Sequence, residues 1–194
     1  AVNYPVRVHS GDNALDQLAA EAHRLRAKRV FIFCGKSVAN KTPLIGLIRE
    51  ILGDLCIGVF DGIDKDASLM AVQAATAAAK DAEADLLLAV GAGSVIKAVR
   101  IIAILMAENK PIEQLMTLYP PGGRAISQKL YEPKLPILNV LTAPTNAQNR
   151  AGAALKNPHL DHRMEFFDPK TRPVAVFWDP RALATAPRHM NLYT

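Results

Sequence analysis

Asp85-Leu-Leu-Leu-Ala-Val90-Gly91-Ala92-Gly93-Ser94 decides the fold. Five apolar residues without a polar alternation after Asp85 predict a strand buried on both faces, the pattern of a parallel sheet covered by helices. The run stops at Gly91-Ala92-Gly93-Ser94, and Val95 opens an apolar stretch to about Glu108 with helical spacing. Strand, glycine turn and helix in that order form half of a βαβ unit. Such a unit needs parallel neighbours on either side.

Working outward, the same alternation recurs. Upstream, Arg29-Val-Phe-Ile-Phe-Cys34 is a second continuous apolar strand ending at Gly35, and Leu55-Cys-Ile-Gly-Val-Phe60 is a third. Between them a helix is expected over Pro43 to Leu52. Asp12 is placed to cap a helix to about Ala27, with Leu15, Leu18, Ala22 and Leu25 on one face. Ser68 to Asp81 is alanine-rich and helical. Downstream, prolines 111, 120, 121, 133 and 136 with Gly122 and Gly123 make 110–136 a connector, with room for a short helix at Ile112 to Leu118. A strand resumes at Ile137 to Leu141. Residues 146–165 read as polar and irregular. A last strand, Pro173-Val-Ala-Val-Phe-Trp178, ends at Asp179-Pro180. Strands alternating with helices predict an α/β, doubly wound, mostly parallel sheet with helices on both faces.

Composition narrows the function classes. The 194 residues are 50% hydrophobic and 21% charged, enough for a core without staples. Two cysteines exclude a disulfide framework, and Cys34 and Cys56 read as buried thiols in neighbouring strands. The longest apolar run, Val95 to Ala107, is broken by Lys97 and Arg100, too short and too charged for a membrane span. With no signal peptide visible, the expectation is a reduced, cytoplasmic domain. Net charge is +5, and the densest basic cluster, His23 to Arg29, sits at a helix end, where the dipole favours cations. That cluster predicts no nucleic-acid partner, whereas a site for a small anion would use the same excess.

Ligands of open parallel sheets sit beyond the carboxyl ends of the strands. Three turns fall there. Gly91-Ala92-Gly93-Ser94 lets backbone approach an anion closely and leads into a helix N-terminus, with Ser94 as a donor or cap. The same four residues also suit a merely tight strand-to-helix turn. Cys34-Gly35-Lys36-Ser37 ends another strand. An acidic residue there would accept from a ribose and repel a 2′-phosphate, but this chain has Gly35 and Lys36. Thr142-Ala143-Pro144-Thr145-Asn146 offers two hydroxyls and an amide, groups that also form turns. His159-Leu-Asp161-His162 lacks the helical i, i+4 spacing of a metal pair and reads as a solvated loop. Neither a Gly-x-Ser-x-Gly elbow nor a paired-carboxylate arrangement is present.

These residues, in this order, resemble the N-terminal half of the iron-containing alcohol dehydrogenase family, in the superfamily of glycerol dehydrogenase and dehydroquinate synthase. The family's opening strand and glycine turn match Val6-Arg-Val-His-Ser-Gly11. Its Gly-Gly-Gly-Ser-x-x-Asp-x-x-Lys stretch matches Gly91-Ala92-Gly93-Ser94-Val-Ile-Lys97-Ala-Val-Arg100. Its Pro-Thr-Thr-Ala-Gly-Thr-Gly-Ser-Glu stretch is matched at Pro144, Thr145 and Ala147, and its strand ending Asp-Pro at Asp179-Pro180. The departures are Lys97 for the aspartate, Arg100 for the lysine, and Gln148-Asn149-Arg150-Ala151-Gly152 for Gly-Thr-Gly-Ser-Glu.

The resemblance implies a dinucleotide-binding domain over residues 1–194, taking NAD or NADP. Gly91 to Ser94 would hold the pyrophosphate, with Gly35 and Lys36 by the adenosine ribose. Thr142, Thr145 and Asn146 would lie on the ribose and nicotinamide side, and Leu183 would line the cleft. The family's helical domain, which binds iron or zinc through an aspartate and histidines, would follow Thr194, so no metal ligand is expected here. The implied reaction is hydride transfer between a small alcohol or aldehyde and nicotinamide. A non-catalytic nucleotide-binding or interaction module is the alternative. Lacking the second half, the chain should expose apolar surface and either self-associate as a homo-oligomer or be unstable.

Overall fold

The computed structural model describes residues 5–187. In chain order its elements are β1 (Arg7–Ser10), α1 (Leu18–Arg24), β2 (Val30–Phe33), α2 (Lys36–Lys41), α3 (Leu44–Leu52), β3 (Cys56–Phe60) and α4 (Leu69–Asp81). Then follow β4 (Leu86–Gly91), α5 (Gly93–Ala107), β5 (Ile137–Leu141), β6 (Gly152–Leu155), β7 (Met164–Phe167), β8 (Ala175–Trp178) and α6 (Pro180–Leu183). Six strands form one sheet in the order β1-β8-β5-β4-β2-β3, and every pairing in it is parallel.

Side chains alternate across this sheet and build two cores. Phe31, Phe33, Leu87 and Ala89 face α4 and α5, while Val30, Ile32, Leu86, Leu88 and Val90 face α1 and α3. β2, β4 and β5 are buried along their whole lengths, as the unbroken apolar runs required. The doubly wound expectation therefore holds. The chain leaves β2 for β3 on one side and returns to place β4 on the other. The order reverses between β2 and β4, which fixes where a crevice opens.

Several expectations need correction. The first helix is broken: Ala14–Gln17 is a 3-10 turn preceded by Asn13 in the left-handed region, and only Leu18–Arg24 is α-helical. Asp12 is not its cap; the N–H of Leu15 donates instead to the distant carboxylate of Asp179, at 3.0 Å. Lys36–Lys41 is helical although it buries no residue, so no periodicity announces it. Residues 146–165 are not irregular throughout, because β6 and β7 pair as an antiparallel hairpin against α5. In the connector, helix survives only as the 3-10 turn Ile112–Gln114, and Leu118 bridges Ile126 beyond it. Cys34 is buried just past β2, and Cys56 is half-buried in the neighbouring β3.

Candidate functional site

A cleft of about 740 Å³ opens at the carboxyl edge between β2 and β4, within the size range of small-molecule sites. The ends of β2 and β4 form its floor through Gly35, Gly91 and Ala92. Lys36, Lys41 and Thr42 come from α2 and its end, and Gly62 to Lys65 from the loop after β3. Thr142 closes the β5 side, its N–H donating to the carbonyl of Gly91 at 3.1 Å. The cleft holds three lysines, Lys36, Lys41 and Lys65, against one carboxylate, Asp64. One oxygen of Asp64 already accepts the N–H of Ser68 at 2.8 Å. The charge balance favours an anion.

α5 opens onto this cleft. Ala92 is its N-cap in extended conformation, and no side chain caps the first turn. The leading N–H groups and the positive dipole end are thus left for a ligand. The two glycines differ in purpose. A Cβ on Gly91 would come within 2.7 Å of the Val95 side chain, so this glycine lets α5 pack on β4. A Cβ on Gly93 would meet only the Thr145 hydroxyl, at 3.5 Å, so the space above it is open. Ser94 does not cap α5; its hydroxyl oxygen accepts the N–H of Asp66 at 3.3 Å and ties down the loop after β3.

Of the residues singled out from the sequence, Gly35, Lys36, Gly91, Ala92 and Thr142 line the cleft. Gly93, Ser94 and Thr145 are outside the lining: Gly93 lies beside the Thr145 hydroxyl, which accepts the N–H of Ala147 at 3.1 Å, and Ser94 holds the loop after β3. Asn146 is exposed on a turn outside the lining. Leu183 is also outside: it belongs to the four-residue α6, and the chain after that helix, Thr185 to Pro187, crosses the cleft instead. Gly35 does not leave room at the strand end. Its Cβ position lies 3.1 Å from the Ile63 carbonyl, so any side chain would press on the loop after β3. Sequence reasoning missed Lys41 and Lys65. The first sits on a helix that no periodicity announces and the second in a loop, so neither carried a sequence signal.

Cys34 lies next to Gly35, but burial, with the nearby Asp61 adding, pushes its thiol up to about 12, so it is no nucleophile at neutral pH. His159, Asp161 and His162 are exposed on the hairpin loop, His162 stacking edge-on against Tyr119. Among the described residues no three His, Cys, Asp or Glu side chains stand together as a metal site. No described helix is long and apolar enough to cross a membrane.

Comparison with known proteins places the chain in a family. The chain is 37% identical over 101 residues to maleylacetate reductase 2 of Cupriavidus pinatubonensis, covering 52% of this chain and 27% of that protein. It is 26% identical over 184 residues to the NADPH-dependent aldehyde reductase YqhD of Escherichia coli, covering 94% and 46%. The NADH-dependent butanol dehydrogenase A of Thermotoga maritima shares the fold with a TM-score of 0.84 at 19% identity, over 100% of this chain and 47% of that one. The chain thus spans less than half the length of these relatives. The family model described as iron-containing alcohol dehydrogenase matches residues 5–180, nearly the whole described chain, which belongs to that family.

Proposed function

We propose that this chain is the dinucleotide-binding half of an NAD(P)-dependent oxidoreductase that transfers hydride between an alcohol and its aldehyde or ketone. The observation that carries this reading is the uncapped N-terminus of α5 opening, beside Gly93, onto a lysine-rich cleft at the switch point of a parallel sheet. The N–H groups of Gly93 to Val95 would take the pyrophosphate. Lys36 and Lys41, which line the same cleft, would meet a phosphate on the adenosine ribose, and Thr142 and Thr145 would guide the nicotinamide ribose. The bound nicotinamide supplies the hydride chemistry. This half would position the ring. The names of the Escherichia coli and Thermotoga maritima relatives, NADPH-dependent and NADH-dependent, both lend support to a nicotinamide cofactor.

The lysines favour NADP. Each exposed charge pair contributes up to about 1 kcal/mol, less than tenfold in affinity. The chain should therefore bind NADPH a few-fold more tightly than NADH, and the gap should close with added salt. Fluorescence titration with both cofactors at low and high salt measures this. Lys36→Ala should erase most of the difference without affecting NADH. Absence of binding by either cofactor would overturn the functional reading itself; a clear NADH preference would overturn only the role given to the lysines.

A further inference from the structure

Arg100 lies seven residues into α5 and is 1% exposed. One guanidinium nitrogen donates to the carbonyl of Gly152 at 2.8 Å. The other two, Nε and Nη2, are buried and have no partner in the structure. Among the described residues no carboxylate pairs with it. The charge close enough to act on it is instead a second cation, Arg150; burial, and then Arg150, bring Arg100 down to about 10, still charged at neutral pH. Arg150 itself is exposed, and its guanidinium makes no hydrogen bond or ion pair among the described residues. A buried guanidinium with two idle donors is costly unless an acceptor completes it.

Arg100 does not itself line a cavity, but Gly152, whose carbonyl it holds, does. Arg150 and Gly152 both line a cavity of about 410 Å³ under the β6–β7 hairpin, with Thr117, Ser127 and Phe167. Gly152 carries no side chain to fill it, and even a Cβ there would meet nothing nearer than 3.8 Å. The cavity's own carboxylate, Glu165, accepts the Tyr119 hydroxyl. Neither arginine lines the cleft between β2 and β4, so this site stands apart from the cofactor reading.

We propose that Arg100 and Arg150 form an anion site for a small carboxylate, entered through the cavity that Arg150 and Gly152 line. A planar carboxylate matches the two free N–H groups of Arg100, and the second guanidinium adds charge at the mouth.

Thermal unfolding of the 194-residue chain at pH 7 in sodium acetate, against sodium chloride of equal ionic strength, tests this. Acetate at about ten times its dissociation constant should raise the midpoint by roughly 3–6 °C over chloride, and the rise should saturate. Arg150→Gln, at an exposed position, should fold normally and lose most of the acetate effect. Arg100→Met should raise the acetate-free midpoint and abolish the response. Gly152→Glu, which supplies a tethered carboxylate, should do the same. NADPH titration of Arg150→Gln should match the unmutated chain. Equal midpoints in acetate and chloride would mean that solvent alone fills the site, and the proposal fails. An acetate response undiminished in Arg150→Gln would place acetate elsewhere and also overturn it.

Discussion

Gly91 and Gly93 are two residues apart and serve different ends. Gly91→Ala puts a methyl within 2.7 Å of Val95, a core side chain of α5, so the helix must shift. Overpacking of this kind costs about 1–3 kcal/mol, which urea denaturation will read as a lower midpoint at unchanged slope. Gly93→Val meets only the Thr145 hydroxyl at an ordinary 3.5 Å, so stability should hold. Its branched side chain, however, stands over the first free N–H groups of α5. Dinucleotide affinity should fall about tenfold or more, the worth of one charge-assisted hydrogen bond. Unchanged cofactor titration in folded Gly93→Val would show that the turn is not the pyrophosphate site. The glycine turn was legible as a motif, but the separate purposes of its two glycines were not, because packing against Val95 is a three-dimensional fact. The same holds at position 100. The sequence shows an arginine in an apolar helix and a glycine at 152; only the fold brings the two to 2.8 Å.

At the scale of elements, the buried strands were readable because burial on both faces leaves an unambiguous apolar run. Elements missed from the sequence owe their form to tertiary contacts. Gly152-Ala-Ala-Leu155 has little strand propensity of its own; it becomes a strand by lying on α5 and pairing with Met164–Phe167. Helix α2 buries no residue and follows from the turn at Gly35. The long connector is the other case. It forms little regular structure, yet Lys134, whose side chain is fully buried, anchors its end. The ammonium bridges Glu108 at the end of α5, at 2.8 Å, and Asp168 after β7, at 3.0 Å. Removing one partner of a buried pair leaves uncompensated charge. Lys134→Met should destabilise the chain by about 3–5 kcal/mol. It should also open residues 110–136 to proteolysis before global unfolding. A midpoint equal to that of the unmutated chain would show that the connector is held by Leu115 and Met116 alone, both buried.

Across the whole molecule, the parallel sheet follows from the alternation of elements, whereas its strand order is a fact of the fold, and that order places the crevice between β2 and β4. The carboxylates that fasten the irregular segments to this sheet are harder to foresee. Glu21, 2% exposed, receives Arg7, His9 and Arg24 and holds β1 to α1. Glu108 receives Lys134 and the N–H of Glu132. Asp179, wholly buried, receives the N–H groups of Leu15 and Arg181 and the Arg181 guanidinium, joining the end of β8 to the first turn and to α6. Burial alone would raise all three pKa values. In each case the bonds outweigh it, chiefly those from His9 to Glu21, from Lys134 to Glu108 and from Arg181 to Asp179, and the carboxyl is held below its ordinary value. A carboxyl depressed in the folded state stabilises the fold at pH above its unfolded value, about 4, and that stability is lost as pH falls through the folded value. Because the three sites fasten separate segments, their losses should add. Stability should therefore be level from about pH 7 to 5 and fall steeply below about pH 4, as urea midpoints at stepped pH will show. Asp179→Asn keeps one oxygen for the backbone donors but removes the charge, so it should lower the neutral plateau and flatten the acid limb. A parallel downward shift, with the acid slope intact, would assign the pH dependence to Glu21 and Glu108 and leave Asp179 as a neutral cap.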